Sequence, residues 1–399
     1  MNTPTLRFKE FSGAWEVKKL GDIATFSKGK GISKADIDEN GKTFCIRYGE
    51  LYTEYGETIS KVKSKTNVHV DNLVLSEIND VIIPASGETQ IDIATASCVQ
   101  VSGVALGSDL NIIKSKENGI FLTYYLNNQK KLEIAKLAQG NSVVHLYSSQ
   151  LKLLALNLPD KKEQTKIANF LTAIDEKIAQ LSQTAQLLTD YKKGVMQQIF
   201  SQQLRFKDDD GREFAEWEEK ELKDFLVKHE EKTVESNQYP VLTSSRRGMF
   251  FQKDYFDGHD VASKDNTGYN VVPFGFFTFR HMSDDVTFTF NRNHLVDKGI
   301  VSTLYPVFTT KNINDNFLQI KLNYGEEFRE YAIQQKQGGS RTYMYFSKLE
   351  KLKLWFPSLP EQTKIANFLT AIDDKINHNQ TQLDAMKQYK SGLLQQMFV

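Results

Sequence analysis

Three stretches of the chain concentrate side chains that could hold a polyanion or read hydrogen-bonding edges. Ser27-Lys28-Gly29-Lys30-Gly31-Ile32-Ser33-Lys34 sets Lys28, Lys30 and Lys34 around two glycines, and flexible basic loops suit phosphate oxygens. A solvated surface loop would have the same composition. Ser86-Gly87-Glu88-Thr89-Gln90 offers hydroxyl and amide groups, with Ser86 and Gln90 as candidates and Gln90 suited to adenine. An ordinary turn is the alternative. Thr243-Ser244-Ser245-Arg246-Arg247-Gly248 places tandem arginines beside three hydroxyls. A guanidinium can grip guanine O6 and N7 with two hydrogen bonds, and a serine hydroxyl can anchor phosphate. Arg280, His281, Arg292 and Arg341 are further candidates, some of them for internal ion pairs, whereas Phe250, Phe251, Phe276, Phe277 and Phe279 read as core.

Catalytic constellations are harder to find. No Pro-Pro pair occurs, which the Asn/Asp-Pro-Pro-aromatic motif of amino-group methyltransferases requires. Gly41-Lys42-Thr43 echoes a phosphate-binding loop but lacks the earlier glycine. The seven histidines form no His-x-x-x-His pair. Cys45 and Cys98 are too few for a disulfide framework or a metal cluster and read as core, which fits a reducing cytosol. No intrinsic enzyme activity, metal or cofactor is expected. Met1–Thr5 lacks the apolar core of a signal peptide, and no run reaches the ~20 apolar residues of a membrane span. A net charge of zero means that any nucleic-acid contact relies on local clusters or on a partner that supplies phosphate attraction.

The elements that must carry these segments come from an internal repeat. Glu163–Asp175 recurs without change as Glu361–Asp373, thirteen residues at an offset of 198. At the same offset Tyr191–Phe200 returns as Tyr389–Phe398 and Leu6–Lys9 as Leu204–Lys207, while Trp15 and Leu20 match Trp217 and Leu222 after a short insertion. Residues 25–138 and 227–336 bear little resemblance to each other. A duplicated frame thus holds two unlike inserts. Drift after duplication would have blurred the helices as well, so the near-identical parts are expected to serve like partner surfaces and the inserts to read different things.

The repeated segments read as long helices. Ile167, Leu171, Ile174, Ile178, Leu181, Ala185, Leu188, Lys192, Val195 and Ile199 alternate spacings of four and three, a heptad seam. Ile365, Leu369, Ile372, Ile376, Asn379, Leu383, Met386, Lys390, Leu393 and Met397 repeat it, the polar members fixing register. Asp160 and Ser358 are expected as N-caps, with Glu163 and Glu361 completing capping boxes. Each helix, roughly 55 Å long at ~1.5 Å per residue, needs a partner, and the other copy is the obvious one. Antiparallel pairing is preferred, because it places residues 6–9 and 204–207 equivalently beside helix C-termini. It would put two mixed α and β heads at opposite ends, a ruler comparable to one or two duplex turns of ~34–36 Å. The domains are expected at 1–158 (first head), 159–200 (first helix), 201–357 (linker and second head) and 358–399 (second helix), an α+β fold with pseudo-two-fold tandem repeat.

Within the heads, 80–84, 95–105, 110–113, 269–273, 274–280, 286–290 and 299–304 read as strands, and 120–138 and 326–337 as helical.

Pro159-Asp160-Lys161-Lys162-Glu163-Gln164 and Pro357-Ser358-Leu359-Pro360-Glu361-Gln362, each leading into Ile-Ala-Asn-Phe-Leu and a long helix that ends Gln-Gln-Ile/Met-Phe, resemble the conserved regions of type I restriction-modification specificity subunits. The Trp15–Leu20 and Trp217–Leu222 segments and the Gly-x-Ser segments at Gly140 and Gly338 resemble the edges of that family's target recognition domains, covering nearly the whole chain. The resemblance implies a central coiled coil that binds two methyltransferase subunits and helps recruit motor-nuclease subunits, with each head reading one half of a split DNA target. It adds Ser142 and Ser340 to the candidate DNA contacts and places Arg341 in the same family segment as Ser340. S-adenosylmethionine, Mg2+ and ATP would belong to the partner subunits, which would also clamp the duplex. The rivals are a scaffold whose heads bind proteins and an enzyme with a diverged centre.

Overall fold

The computed structural model describes residues 3–140, 143–259, 262–336 and 341–398. It divides into two units, Met1–Gln183 with Asn379–Val399, and Thr184–His378. The first runs β1 (Glu16–Lys19), β2 (Ala24–Lys28), β3 (Asp80–Pro84), β4 (Ser86–Gly87), β5 (Ser97–Val99), β6 (Leu110–Ser115), α1 (Gly119–Asn128), β7 (Val144–His145), β8 (Ala155–Leu158) and the start of α2 (Lys161–Phe200). The second unit carries β9 (Glu218–Glu221), β10 (Leu226–His229), β11 (Leu242–Ser245), β12 (Gly248–Phe251), β13 (Phe277–Thr278), β14 (Met282–Ser283), β15 (Asn291–Arg292), β16 (Val307–Thr310), α3 (Asp315–Tyr324), β17 (Thr342–Tyr343), β18 (Lys353–Phe356) and the start of α4 (Leu359–Met397).

The two inserts differ in sequence, yet their central sheets follow one plan. In the first unit β2, β6, β3 and β5 pair antiparallel in that order, with Thr58–Ile59 added parallel at the edge. In the second, β10, β16, β13 and β15 pair antiparallel in the corresponding order. A two-stranded link, β1 to β8 or β9 to β18, joins each head's entry to the strand before its helix. A second link, β4 to β7 or β14 to β17, lies at equivalent places too. Residues 286–290 form no strand: Asn323 and Gln319 side chains, rather than a neighbouring strand, take up the Phe290 backbone groups.

The repeated Glu-Gln pair is the hinge pin of each head. Gln164 Nε2 donates to the Pro159 carbonyl (3.0 Å) while its Oε1 accepts the Asn118 N–H (3.0 Å), and Asn118 in turn caps α1 through the Phe121 N–H (3.0 Å). Gln362 bridges Pro357 and Asn314 in the same way, at 2.9 and 3.0 Å, with Asn314 capping α3. Glu163 does not reach back to complete a capping box. It is fully buried and accepts two hydrogen bonds of 2.6 Å from Arg7, as Glu361 accepts bonds of 3.3 and 2.9 Å from Arg205. Asp160 does cap, accepting the Glu163 N–H at 2.9 Å, but the Ser358 hydroxyl is buried with no hydrogen-bond partner among the described residues and forms no cap.

Both helix seams face inward. Ile167, Leu171, Ile174 and Leu181 are buried and Ile178 and Leu188 half-buried, and Ile365, Leu369, Ile372, Leu383 and Leu393 are buried with Ile376 half-buried. The seam does more than join helices. Ile167, Leu171 and Ile174 share the first head's core with Leu393, Met397 and Phe398 from the far end of α4, where the Phe398 ring lies 5.6 Å from Phe121. In the second unit Ile365, Leu369 and Ile372 share a core with Val195, Met196 and Ile199 from the far end of α2. Full burial of each such side chain stabilises by about 1.5–3 kcal/mol.

The helices run antiparallel within each unit, held by crossed polar contacts. Lys390 Nζ sits 2.6 Å from Asp175, whose Oδ2 also accepts the buried Tyr124 hydroxyl at 2.5 Å, and Lys192 Nζ sits 2.5 Å from Asp373. Burial, then the Asp175 hydrogen bond, pushes the Tyr124 hydroxyl far above its ordinary range. Buried Asn379 donates to the Leu181 carbonyl at 2.8 Å, so equivalent positions of the two helices face each other. The chain enters each unit at equivalent points as well: the Leu6 N–H bonds the Gln396 carbonyl and the Leu204 N–H bonds the Gln198 carbonyl, both at 3.0 Å.

One buried site is solved differently in each head. Lys321 is wholly buried, pairs with Glu327 at 2.6 Å and lies 5.2 Å from the Phe200 and Trp217 rings. Burial pulls its ammonium below the ordinary range while Glu327 opposes the fall. Glu327 also accepts the Trp355 N–H, at 3.3 Å. At the matching place in the first head, the Tyr125 hydroxyl accepts the Asn157 N–H at 3.1 Å.

Arg7→Ala strands the buried Glu163 charge and is expected to cost about 3 kcal/mol. Combining it with Glu163→Gln should recover part of that loss. Thermal and urea unfolding of the single and double variants measures both, and equal losses in the two would contradict the pairing.

Candidate nucleic-acid interface

In the first head the basic segment is displayed rather than loose. Lys28 ends β2, Lys34 opens a single 3-10 turn, and Lys28, Lys30 and Lys34 are all exposed. The backbone between them is pinned by Gly29 N–H to Leu110 O (3.0 Å), Lys30 N–H to Leu106 O (2.9 Å) and Gly31 N–H to Ser108 Oγ (3.0 Å). At Gly29 a side chain would collide with the Gly107 carbonyl, so this close approach requires glycine. Burial limits other candidates. Ser86 is buried within β4 opposite His145 and offers no hydroxyl to a base edge. Gln90 is exposed in the first turn of the short helix Gln90–Ile93, capped by Thr89. Ser142 and Ser340 lie outside the described residues.

Sequence reading missed Arg47. With Lys34, Tyr48, Tyr52 and Ser108 it lines an open cleft of about 680 Å³. Its terminal nitrogen is 3.6 Å from Glu50, and its buried Nε has no hydrogen-bond partner among the described residues. No spacing singled it out; only the fold carries it to the side of Lys34.

The second head brings two of its arginines, Arg246 and Arg341, to two adjacent carboxylates. β11 and β12 form a hairpin in which Ser245 pairs with Gly248, leaving Arg246 and Arg247 at the tip. Gly248 takes φ +120°, a region that side-chain-bearing residues avoid. Ser245 Oγ accepts the Arg247 N–H and donates to the Gly248 carbonyl, each at 3.1 Å, so this hydroxyl shapes the turn rather than meeting phosphate. Ser244 is buried and accepts from Asn291 at 2.8 Å, which likewise withdraws it. Thr243 is half-buried opposite Phe250.

Arg246 pairs with Asp285 at 2.5 Å and Arg341 with Asp284 at 2.9 Å, so the hairpin tip and the segment after Gly338 converge on one loop. Arg292 is spent internally, on Asp315 (3.2 Å), Asn316 (2.7 Å) and the Phe277 ring. Arg247 and Arg280 are exposed and have no carboxylate partner among the described residues. Next to Arg280 in the chain, His281 lies 5.2 Å from Tyr345, which stacks with Tyr343 at 5.8 Å, both tyrosines exposed. His145 and Tyr147 stack at the equivalent positions of the first head. Phe277 and Phe279 are core, whereas Phe250 is half-buried beneath Arg247.

The arrangement suits a polyanion or base edges and offers little for catalysis. Among the described residues no cluster of His, Cys, Asp or Glu could hold a metal ion. Both cysteines are buried, which pushes the Cys45 thiol up to about 11 and that of Cys98 to about 12. Among those residues no helix is long and apolar enough to cross a membrane.

The family model for the type I restriction modification DNA specificity domain matches twice, over residues 13–189 and 215–388. The chain belongs to the type I restriction-modification specificity family. Two curated relatives from Methanocaldococcus jannaschii match along nearly their whole length. The type I restriction enzyme MjaVIII specificity subunit is 23% identical over 97% of this chain and 94% of its own. The putative MjaX specificity subunit is 24% identical over 95% and 92%. In fold, the chain is similar to the crystal structure of the type I restriction-modification S subunit from M. genitalium, with a TM-score of 0.61, 16% identity and coverage of 100% of this chain and 99% of that one. The relatives are specificity subunits, the non-catalytic recognition components of such systems, and this chain carries the same tandem recognition domains.

The Arg246 pairing has a measurable electrostatic signature. Hydrogen bonds from Arg246 and the Thr287 backbone draw the Asp285 carboxyl from 3.8 down to about 2. A depressed carboxylate contributes stability that is present above its ordinary pKa and lost as pH falls through the folded value, here between about 4 and 2. Carboxyl NMR titration should find Asp285 near 2 and Arg246→Gln should raise it; a wild-type value in the ordinary range would show that the pair does not form in solution.

Proposed function

We propose that this specificity subunit reads a bipartite, asymmetric site in double-stranded DNA, one half with each head. In this reading the long helices serve as spacer and as docking surface for two methyltransferase subunits, and through them for motor-nuclease subunits. The chain thereby directs both methylation and restriction while making and breaking no bonds itself. S-adenosylmethionine, Mg2+ and ATP are assigned to the partners, and the cytoplasm is the proposed compartment.

The observation that carries the proposal is the contrast within the duplication. The Glu-Gln clamp, the crossed lysine–aspartate pairs and the helix seam repeat at matched positions, whereas the displayed polar groups differ, lysines and Arg47 in one head and arginines in the other. Matched surfaces suit two copies of one partner, and unmatched surfaces suit two different base sequences. The zero net charge is consistent with partners that supply much of the phosphate attraction. On the scaffold reading the heads would have no preference among DNA sequences.

Exchanging residues 227–336 for the corresponding insert of a relative with different specificity, in the complex with its methyltransferase subunit, separates these readings. Mapping methylated positions in host DNA should show one half of the motif replaced and the other retained. Loss of both halves, or no motif with the wild-type chain, would contradict the proposal.

A further inference from the structure

The two arginines at the tip of the β11–β12 hairpin are held in unlike ways. The Arg246 charge is already met by Asp285 at 2.5 Å. Arg247 faces no carboxylate among the described residues; its guanidinium lies 4.9 Å from the Tyr255 ring and 5.9 Å from the Phe250 ring. Hydrogen bonding from Arg247 holds the Tyr255 hydroxyl below its ordinary range, so this tyrosine meets the guanidinium at its hydroxyl as well as its ring.

That geometry matters for what Arg247 can do. Stacking on aromatic rings fixes the plane of a guanidinium and removes part of the rotamer entropy that a free arginine loses on binding. A two-pronged grip on a base edge depends on a fixed plane; phosphate can be forked as well, and the sequence dependence of the loss separates the two. The setting fits as well. A two-stranded ribbon enters the major groove, and this one carries its exposed fork at the very tip, with the Arg246 charge largely neutralised beside it. Thr289, Asn316 and Gln319 line the cleft of about 480 Å³ at the side of the tip and supply neutral hydrogen-bonding groups, while the one further cation in its lining, Lys192, is paired with Asp373.

We propose that Arg247 is a specificity-determining residue of the second head, gripping O6 and N7 of one guanine in the major groove, with Tyr255 as the positioning residue that sets its plane. The proposal rests on the reading of the second head as a DNA-sequence reader. Arg246 is the structural arginine of the pair, tying the tip to the loop at Asp285.

The test is methylation mapping with the full chain and its methyltransferase subunit, comparing wild type with Arg247→Gln, Arg247→Lys and Tyr255→Leu. The half-site exchanged by replacing residues 227–336 identifies which part of the motif belongs to the second head. Arg247→Gln should relax a single guanine position in that half by about ten- to a hundredfold, as loss of a bidentate contact does. Arg247→Lys, which keeps the charge but not the fork, should relax the same position. Tyr255→Leu should do so more weakly, and the other half-site should not change. Thermal unfolding of each variant shows whether the exposed tip has disturbed the head.

Equal loss of methylation at every sequence, with the motif intact, would make Arg247 a phosphate contact and overturn the assignment. Wild-type behaviour of Arg247→Lys, or a changed position in the other half, would do the same. If the wild-type chain itself directs no two-part motif, it is the reading of the head as a sequence reader that fails, and the assignment falls with it.

Discussion

Each head of this protein is finished by the wrong helix. The apolar residues that close the first core include Leu393, Met397 and Phe398 from the end of the second repeat, and those that close the second include Val195, Met196 and Ile199 from the end of the first. Removal of a long buried apolar side chain costs about 2–5 kcal/mol, comparable with the stability of an ordinary domain. The exchange therefore couples the fold of each recognition domain to the pairing of the helices. Neither repeat can be complete on its own, and antiparallel pairing follows, because only that direction brings a helix end to the core at its partner's start.

Around this exchange the polar contacts act as locators. Arg7 with Glu163 and Arg205 with Glu361 fasten the incoming chain to the first turn of each helix. Gln164 and Gln362 link that turn to the cap of the helix across the sheet. Asn379 against the Leu181 carbonyl sets register where an apolar pair would tolerate sliding. Apart from Asn379, whose counterpart is Leu181, these groups lie in the near-identical segments. The tolerance for change sits elsewhere, as the replacement of a tyrosine hydroxyl by a buried lysine–glutamate pair shows: the backbone N–H at 157 or 355 is satisfied either way.

Much of this was legible in the sequence. The heptad seam, the antiparallel direction and the position of residues 6–9 and 204–207 beside helix ends follow from periodicity and from the offset of the repeat. The topology shared by the two inserts was not legible. Their strands are short, and several are buried on both faces, as Asp80–Pro84 is, so no alternation marks them. The capping-box pattern misled because Glu163 and Glu361 are buried, where a charged guanidinium is a better partner than a backbone N–H. Among the candidate contacts, composition picked out the segments but not the individual side chains. Ser86, Ser244, Ser245 and Arg292 are consumed by the fold, and Arg47 emerged only from tertiary placement. Which arginine is free depends on Asp285, 39 residues along the chain from Arg246 at the hairpin tip, and on Asp284, which takes Arg341.

For a specificity subunit, this division of labour has a plain consequence. The repeated frame fixes where each head stands on its helix, and the inserts can change their exposed polar groups without disturbing that frame. The exchange of helix ends is the claim on which all of this depends, and hydrogen exchange on a chain truncated after residue 391 tests it most directly. Loss of Leu393, Met397 and Phe398 should strip protection from β6 and α1 in the first head while β16 and α3 in the second keep theirs. Full protection of both heads in the truncated chain would contradict the account.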